Sequence, residues 1–339
     1  MVHLRIVVPS YQSEHALDLL EAAPSVCNVV YLKGVAQRPQ GDVILCDVAR
    51  EEASVIVSDL RELDIDKEGS ISMEMIDSQI SRAAVAAEKA SAGLPSDAVV
   101  WEEVESRTSE NVELSGSFLA FMVLAMLIAM VGILTDQIIL IIGAMIVGPE
   151  FGPIAGICVA TAEKRRDLFR RSFRALVIGF PLGITATFLT ALVLNGLDLI
   201  PQDFSEGTHP FTQFISSPDG WSFLVALLAG VAGLLSLTSA KSGALVGVLI
   251  SVTTIPAAAN IGVAAATGDW HEWLGAMEQL SLNLTAILIA GTATLLLQRR
   301  LYVRRRRAHL HDEARGAAGL PIGRSRRVGS ATYKTPDSA

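Results

Sequence analysis

Gly143-Ala144-Met145-Ile146-Val147-Gly148-Pro149-Glu150-Phe151-Gly152-Pro153-Ile154-Ala155-Gly156 sets two prolines and a carboxylate inside an otherwise apolar run. Pro149 and Pro153 each lack a backbone donor, and their rings crowd the carbonyls of Met145 and Pro149, so one continuous helix is not expected across them. In hydrocarbon an opened backbone is tolerated only where it is buried in protein or lines a watery cavity, because unpaired amide groups are costly there. Glu150 falls in that opening. Placing a charged side chain at mid-membrane costs roughly 2.5 kcal/mol or more, so Glu150 reads first as part of a functional site. The alternative is a carboxylate solvated at an interface. Either way the stretch describes a broken span, which a plain membrane anchor would not contain.

The rest of the chain supports a membrane setting. Hydrophobic residues make up 51% of the 339 positions and the mean hydropathy is +0.45, too apolar for an ordinary soluble domain. Charge is divided by region. Residues 1–115 carry 9 Lys/Arg against 21 Asp/Glu, residues 116–298 carry 7 against 11, and residues 299–339 carry 11 against 3, giving −12, −4 and +8. The opening residues lack the apolar core of a signal peptide, so the acidic head is expected to stay on the side of synthesis. Cys27, Cys46 and Cys158 form an odd set without metal-ligand spacing, which fits reduced thiols and no disulfide framework.

Four domains are expected: a head at 1–92, an acidic helical linker at 93–115, a membrane region at 116–298 and a basic, disordered tail at 299–339. In the head, residues 3–8 read as a strand, and Ala16, Leu17, Leu20 and Ala23 mark a helix. Residues 26–32 and 43–48 read as a hairpin around a 34–41 loop. Ala53, Ile56, Val57 and Leu60 mark a second helix, and Ile71, Met73 and Met75 a last half-buried strand. The order βαββαβ is that of a small ferredoxin-like α+β domain. Trp101, in the linker, suits either a lipid-interface anchor or packing on the head.

Six spans follow from the length of about 20 apolar residues needed to cross a bilayer. They are 117–134, 137–161, 175–197, 221–238, 243–267 and 279–297. Arginines and Lys164 cluster after the second span and arginines after the sixth, whereas residues 198–220 and 268–278 contain no Lys or Arg. By the positive-inside rule both termini are cytoplasmic in a multi-pass protein of the cell (inner or plasma) membrane. Spans one to three and four to six then run antiparallel, each triplet with an interrupted middle span: Gly148 to Pro153 in the first, Thr253-Thr254-Ile255-Pro256 in the second. Broken helices at matching places of a 3+3 inverted repeat point to a midplane binding site.

The candidate site is therefore Glu150 with Met145, Pro149, Gly152, Pro153, Val252, Thr253, Thr254, Pro256 and Asn260. The Met145 and Val252 carbonyls, released by Pro149 and Pro256, would be neutral oxygen ligands. Asn260 and Asn283 suit uncharged ligation or interhelical hydrogen bonding. Ser239, Gly243, Gly247 and Ser251, four residues apart, favour close helix packing. Residues 163–174 are basic and amphipathic, with Leu168, Phe169 and Phe173 on one side, and are expected on the inner membrane surface.

The run from Thr135-Asp136-Gln137 through Gly156, with Val252-Thr253-Thr254-Ile255-Pro256-Ala257-Ala258-Ala259-Asn260-Ile261-Gly262 and Asn283-Leu284, resembles the prokaryotic hydrophobic-domain family called domain of unknown function 389. The resemblance covers about residues 115–298 and implies a membrane location without an activity. Glu150 between the prolines and Ile255 before Pro256 depart from the pattern of that family.

The expected function is membrane transport, as transporter or channel, with the head as a regulatory module. A non-transporting sensor or scaffold whose head binds a ligand or partner is the alternative. An enzyme is not expected: there is no His-Glu-x-x-His, no pair of membrane aspartates and no Ser/His couple at a plausible depth. No cofactor or metal is called for. The partners expected are membrane lipid, a small solute or ion, a small-molecule ligand of the head and further copies of the chain in a homo-oligomer, with no specific nucleic acid.

Overall fold

The computed structural model describes residues 1–76, 78–91, 98–201, 215–239, 254–312, 315–316 and 318–325. Two compact units form, one from Met1–Glu103 with the chain from Arg300 onward, the other from Val104–Arg299.

The first unit holds β1 (Val2–Val8), α1 (Ser13–Ala22), β2 (Val26–Gln37), β3 (Gln40–Val48), α2 (Arg50–Glu62), the short α3 (Ile65–Glu68), β4 (Ser70–Met75), α4 (Arg82–Ala90) and the start of α5 (Trp101–Asn111). Its four strands lie in the order β2-β3-β1-β4, with all three pairings antiparallel. Alternation drives this sheet. Val2, Leu4, Ile6 and Val8 of β1 are fully buried, as are Ile44, Cys46 and Val48 of β3, and they meet Leu19 and Leu20 of α1 and Ile56 and Leu60 of α2 in one core.

The expected 34–41 loop is instead mostly ladder: β2 runs to Gln37 and β3 begins at Gln40. Two register shifts, between Cys27 and Val30 and between Leu32 and Ala36, let the hairpin extend by twisting it. Asn28 (φ 52°) and Gly34 (φ 68°) supply the left-handed backbone there. Trp101 takes the packed alternative. It is buried, its backbone N–H donates to Ser54 Oγ at 3.0 Å, and its ring centroid lies 6.2 Å from that of Tyr302.

The second unit holds α6 (Gly116–Leu134), α7 (Ile138–Val147), α8 (Phe151–Glu163), α9 (Arg166–Gly196), α10 (Gly220–Thr238), α11 (Ile255–Thr267) and most of α12 (Trp270–His309). α6, α9, α10 and α12 are long and apolar enough to cross a membrane, and α7 with α8 makes a fifth if the bent pair is one span. Helix starts are sealed locally: Ser115 Oγ accepts from Phe118 N–H, and Asp219 from Ser222 N–H. α9 packs against α6, α8 and α11, and α11 also meets α6 and α7. Small residues set these approaches. At Gly262 of α11 a Cβ would lie 2.8 Å from the Ile184 carbonyl and the Phe188 nitrogen of α9, and at Gly230 of α10 it would lie 2.8 Å from the Ile287 carbonyl of α12.

Two helices run further than the sequence suggested. Most of the basic segment 163–174 is the first part of α9, which continues for 31 residues, about 47 Å, from Arg166 to Gly196. The tail is not disordered from residue 299. α12 continues to His309, and Arg306, His309 and Arg315 reach the carboxylates of α2, with Ala318 and Leu320 joining the head core. Opposite charge and an apolar foothold order a segment whose composition alone reads as solvated.

Candidate functional site

α7 ends at Val147 and α8 begins at Phe151, with the two axes bent by 52°. The break is confined to Gly148, Pro149 and Glu150. Pro149 has no N–H for the Met145 carbonyl, and Gly148 N–H still reaches the Ala144 carbonyl at 3.1 Å. Pro153 does not open the backbone a second time, as the sequence suggested. It falls in the first turn of α8, where its missing donor would have had no intrahelical acceptor.

α11 starts in the same way. Thr254 is its N-cap, Ile255 its first residue, and Pro256 sits in its first turn. The sequence placed the second opening at residues 253–256; Val252 and Thr253 lie outside the described residues, as do Gly243, Gly247 and Ser251 of the small-residue stripe.

These two helix starts meet. Glu150 is the N-cap of α8 and Thr254 that of α11, and neither side chain bonds to its own helix. N-cap side chains ordinarily accept from the first free N–H groups of the helix they begin. Here Thr254 Oγ1 donates to Glu150 Oε1 across the interface at 2.9 Å, and both residues are 0% exposed. Gly148 makes the approach possible, since a Cβ there would come 2.8 Å from Ile255 Cγ1 and would also strike the Glu150 carboxylate. Two first turns contribute partial positive charge at this contact, a setting suited to a buried carboxylate.

The other candidates sort by distance from the contact. Met145 is buried in the last turns of α7 and Pro256 in the first turn of α11. Gly152 serves packing: a Cβ there would lie 2.6 Å from the Asn111 carbonyl. Asn260, 2% exposed, lies further along α11, and its Oδ1 has no donor among the described residues. Asn283, on α12, accepts from Gln279 Nε2 at 3.2 Å.

Some polar contacts were not singled out in the sequence. Gln298 Nε2 donates to Thr238 Oγ1 at 2.9 Å, and Arg299 donates to the Ala162 carbonyl in the last turn of α8, a cation at a helix C-terminus. Their signal in the sequence was weak, a glutamine and an arginine at the end of an apolar run. Groups of three or more His, Cys, Asp or Glu able to hold a metal are absent among the described residues.

An uncharacterised protein of Methanocaldococcus jannaschii is 28% identical over 197 residues, which are 56% of this chain and 58% of that relative, so the chain spans less than two thirds of the relative's length. No solved structure matches. A family model described as a domain of unknown function matches from Met145, at the end of α7, into α12. Residues 145–289, both helix starts of the site included, are thus the part of the chain that is similar to the domain of unknown function DUF389.

Proposed function

We propose that the protein is a transporter or channel whose site lies where α8 and α11 begin, with Glu150 as the proton- or cation-binding group. One observation carries this reading: two fully buried N-cap side chains, Glu150 and Thr254, bond to each other instead of to their own helices. A carboxylate held between two interrupted helices can change protonation or occupancy and pass the change to both. The six-span, 3+3 inverted-repeat arrangement belongs to the same reading. It is supported by the similar starts of α8 and α11, each with proline in its first turn. The head is read as ferredoxin-like from its strand order and as a regulatory module of a membrane protein with both termini cytoplasmic.

The experiment is flux into proteoliposomes, followed with an entrapped pH dye and with rubidium uptake. Wild type is expected to give a flux that changes with pH, and Glu150→Gln, which keeps the size but not the titrating charge, is expected to lose it while remaining folded and inserted. Equal flux with unchanged pH dependence in Glu150→Gln removes Glu150 from this role. The close packing at Gly148 favours the second reading, a scaffold in which the breaks only let helices approach. That reading predicts no flux in either form.

A further inference from the structure

The five arginines after α8 divide into two groups that the sequence alone does not separate. Arg165 is paired with Glu105 and, at 3.0 Å, with Asp167, and Arg171 lies 3.6 Å from Asp167. Arg166, Arg170 and Arg174 are exposed and have no ion pair among the described residues. They are spaced four apart on α9, so they form one stripe in which each cation lies a single turn from the next.

A second stripe runs beside it. Phe169 and Phe173 are 43% and 53% exposed, with ring planes 8° apart and centroids at 6.1 Å, and Val177, the next residue of that stripe, is 52% exposed. The opposite side of the helix, Leu168, Ser172 and Leu176, is buried. Three positive charges in a row beside stacked, exposed phenyl rings are neither a solvated face nor a packed one.

We propose that this double stripe at the start of α9 holds anionic phospholipid, with the arginines on the phosphate groups and Phe169, Phe173 and Val177 along the acyl chain. The proposal rests on the membrane-spanning reading of α9 and is independent of transport. Guanidinium groups bind phosphate in a bidentate manner and tolerate partial desolvation better than ammonium groups. A soluble anion would match the arginines and leave the phenyl rings in water. A phospholipid matches both stripes, and the apolar one continues without a break into the exposed side of the span. Basic amphipathic surfaces of this kind gain affinity from anionic lipid at about fivefold per cation.

The full-length protein would be reconstituted in vesicles of equal phosphatidylglycerol and phosphatidylcholine, then gently extracted and its retained lipids counted by native mass spectrometry. Wild type is expected to retain phosphatidylglycerol in preference. The triple variant Arg166→Gln/Arg170→Gln/Arg174→Gln is expected to lose that preference by about tenfold or more. Arg300→Gln/Arg304→Gln/Arg307→Gln, which removes the same charge from exposed positions of α12, is expected to keep it. Phe169→Ser/Phe173→Ser tests the apolar stripe with the arginines intact and is expected to lower retention of both lipids. Unchanged preference in the α9 triple variant, equal loss in the two triple variants, or full displacement of the lipid by millimolar inorganic phosphate would each overturn the proposal. Circular dichroism of each variant confirms that the helices are intact before lipids are counted.

Discussion

Asp42, on the head's third strand, accepts hydrogen bonds from Ser13 Oγ at 2.6 Å, Tyr31 Oη and Gly34 N–H at 2.7 Å each, and Ser10 Oγ at 3.2 Å. These donors, Ser13 first and Tyr31 second, hold its carboxyl down at about 2. A carboxyl lowered on folding stabilises the native state above its unfolded value near 4, and the contribution disappears as pH falls toward 2. Thermal melts of the protein between pH 2 and pH 5 should therefore show a stability increment that Asp42→Asn lacks. At neutral pH the same change should cost about 2 kcal/mol, the scale of hydrogen bonds to a charged group. Melting curves of the two proteins that stay parallel through this range would remove Asp42 from the account. The sequence offers no sign of this cluster, because Ser13 and Gly34 become neighbours of Asp42 only once the sheet has formed. Glu150 is the opposite case: proline and carboxylate in an apolar run announce themselves, and only the partner, Thr254, needed the fold to be identified.

At the scale of elements, the ends of helices carry most of what is unusual in this chain. Pro153 and Pro256 read as breakers in the sequence, yet both lie in first turns, where proline is compatible with helix. The last helix is longer than its apolar part. α12 carries Arg306 to the carboxylates of Asp59 and Glu62, the latter at 2.7 Å. Arg315, itself 0% exposed, bonds to the same two acids. Removing one member of a buried ion cluster strands the others, at roughly 3–5 kcal/mol, whereas neutralising all of them together is far less damaging. Arg315→Met is thus expected to destabilise the head by that amount in chemical denaturation, and Asp59→Asn/Glu62→Gln/Arg306→Met/Arg315→Met, which leaves neither arginine without its acids, to recover a large part of the loss. Similar midpoints for wild type and Arg315→Met would show that the C-terminal segment does not support the head. A fragment ending near residue 92 lacks Arg306, Arg315, Ala318 and Leu320, and is expected to be less stable than one joined to residues 300–325.

For the whole molecule, orientation is the open prediction, and the buried thiols make it measurable. Cys46 and Cys158 are 0% exposed, Cys27 is 8% exposed, and burial pushes the Cys46 thiol up to about 12 and the Cys27 thiol upward, so background labelling should be low. A reporter cysteine at Ser217 should react with an impermeant maleimide added to intact cells, and one at Ser330 should not; the reverse pattern would overturn the cytoplasmic assignment of both termini and the inverted repeat with it. The sequence by itself determined the four long apolar helices, the site of the first break and the alternating strands of the head. Each of these is written in local composition and in a period of two or about 3.6 residues, which a linear chain carries openly. Only the tertiary structure decided that Thr254 is the partner of Glu150, that Arg306 and Arg315 cover Asp59 and Glu62, and that three of the α9 arginines are left without a counter-ion. Those are pairings between residues up to 256 positions apart. They depend on which faces pack together, and a polar side chain carries no local mark of the distant group it will meet.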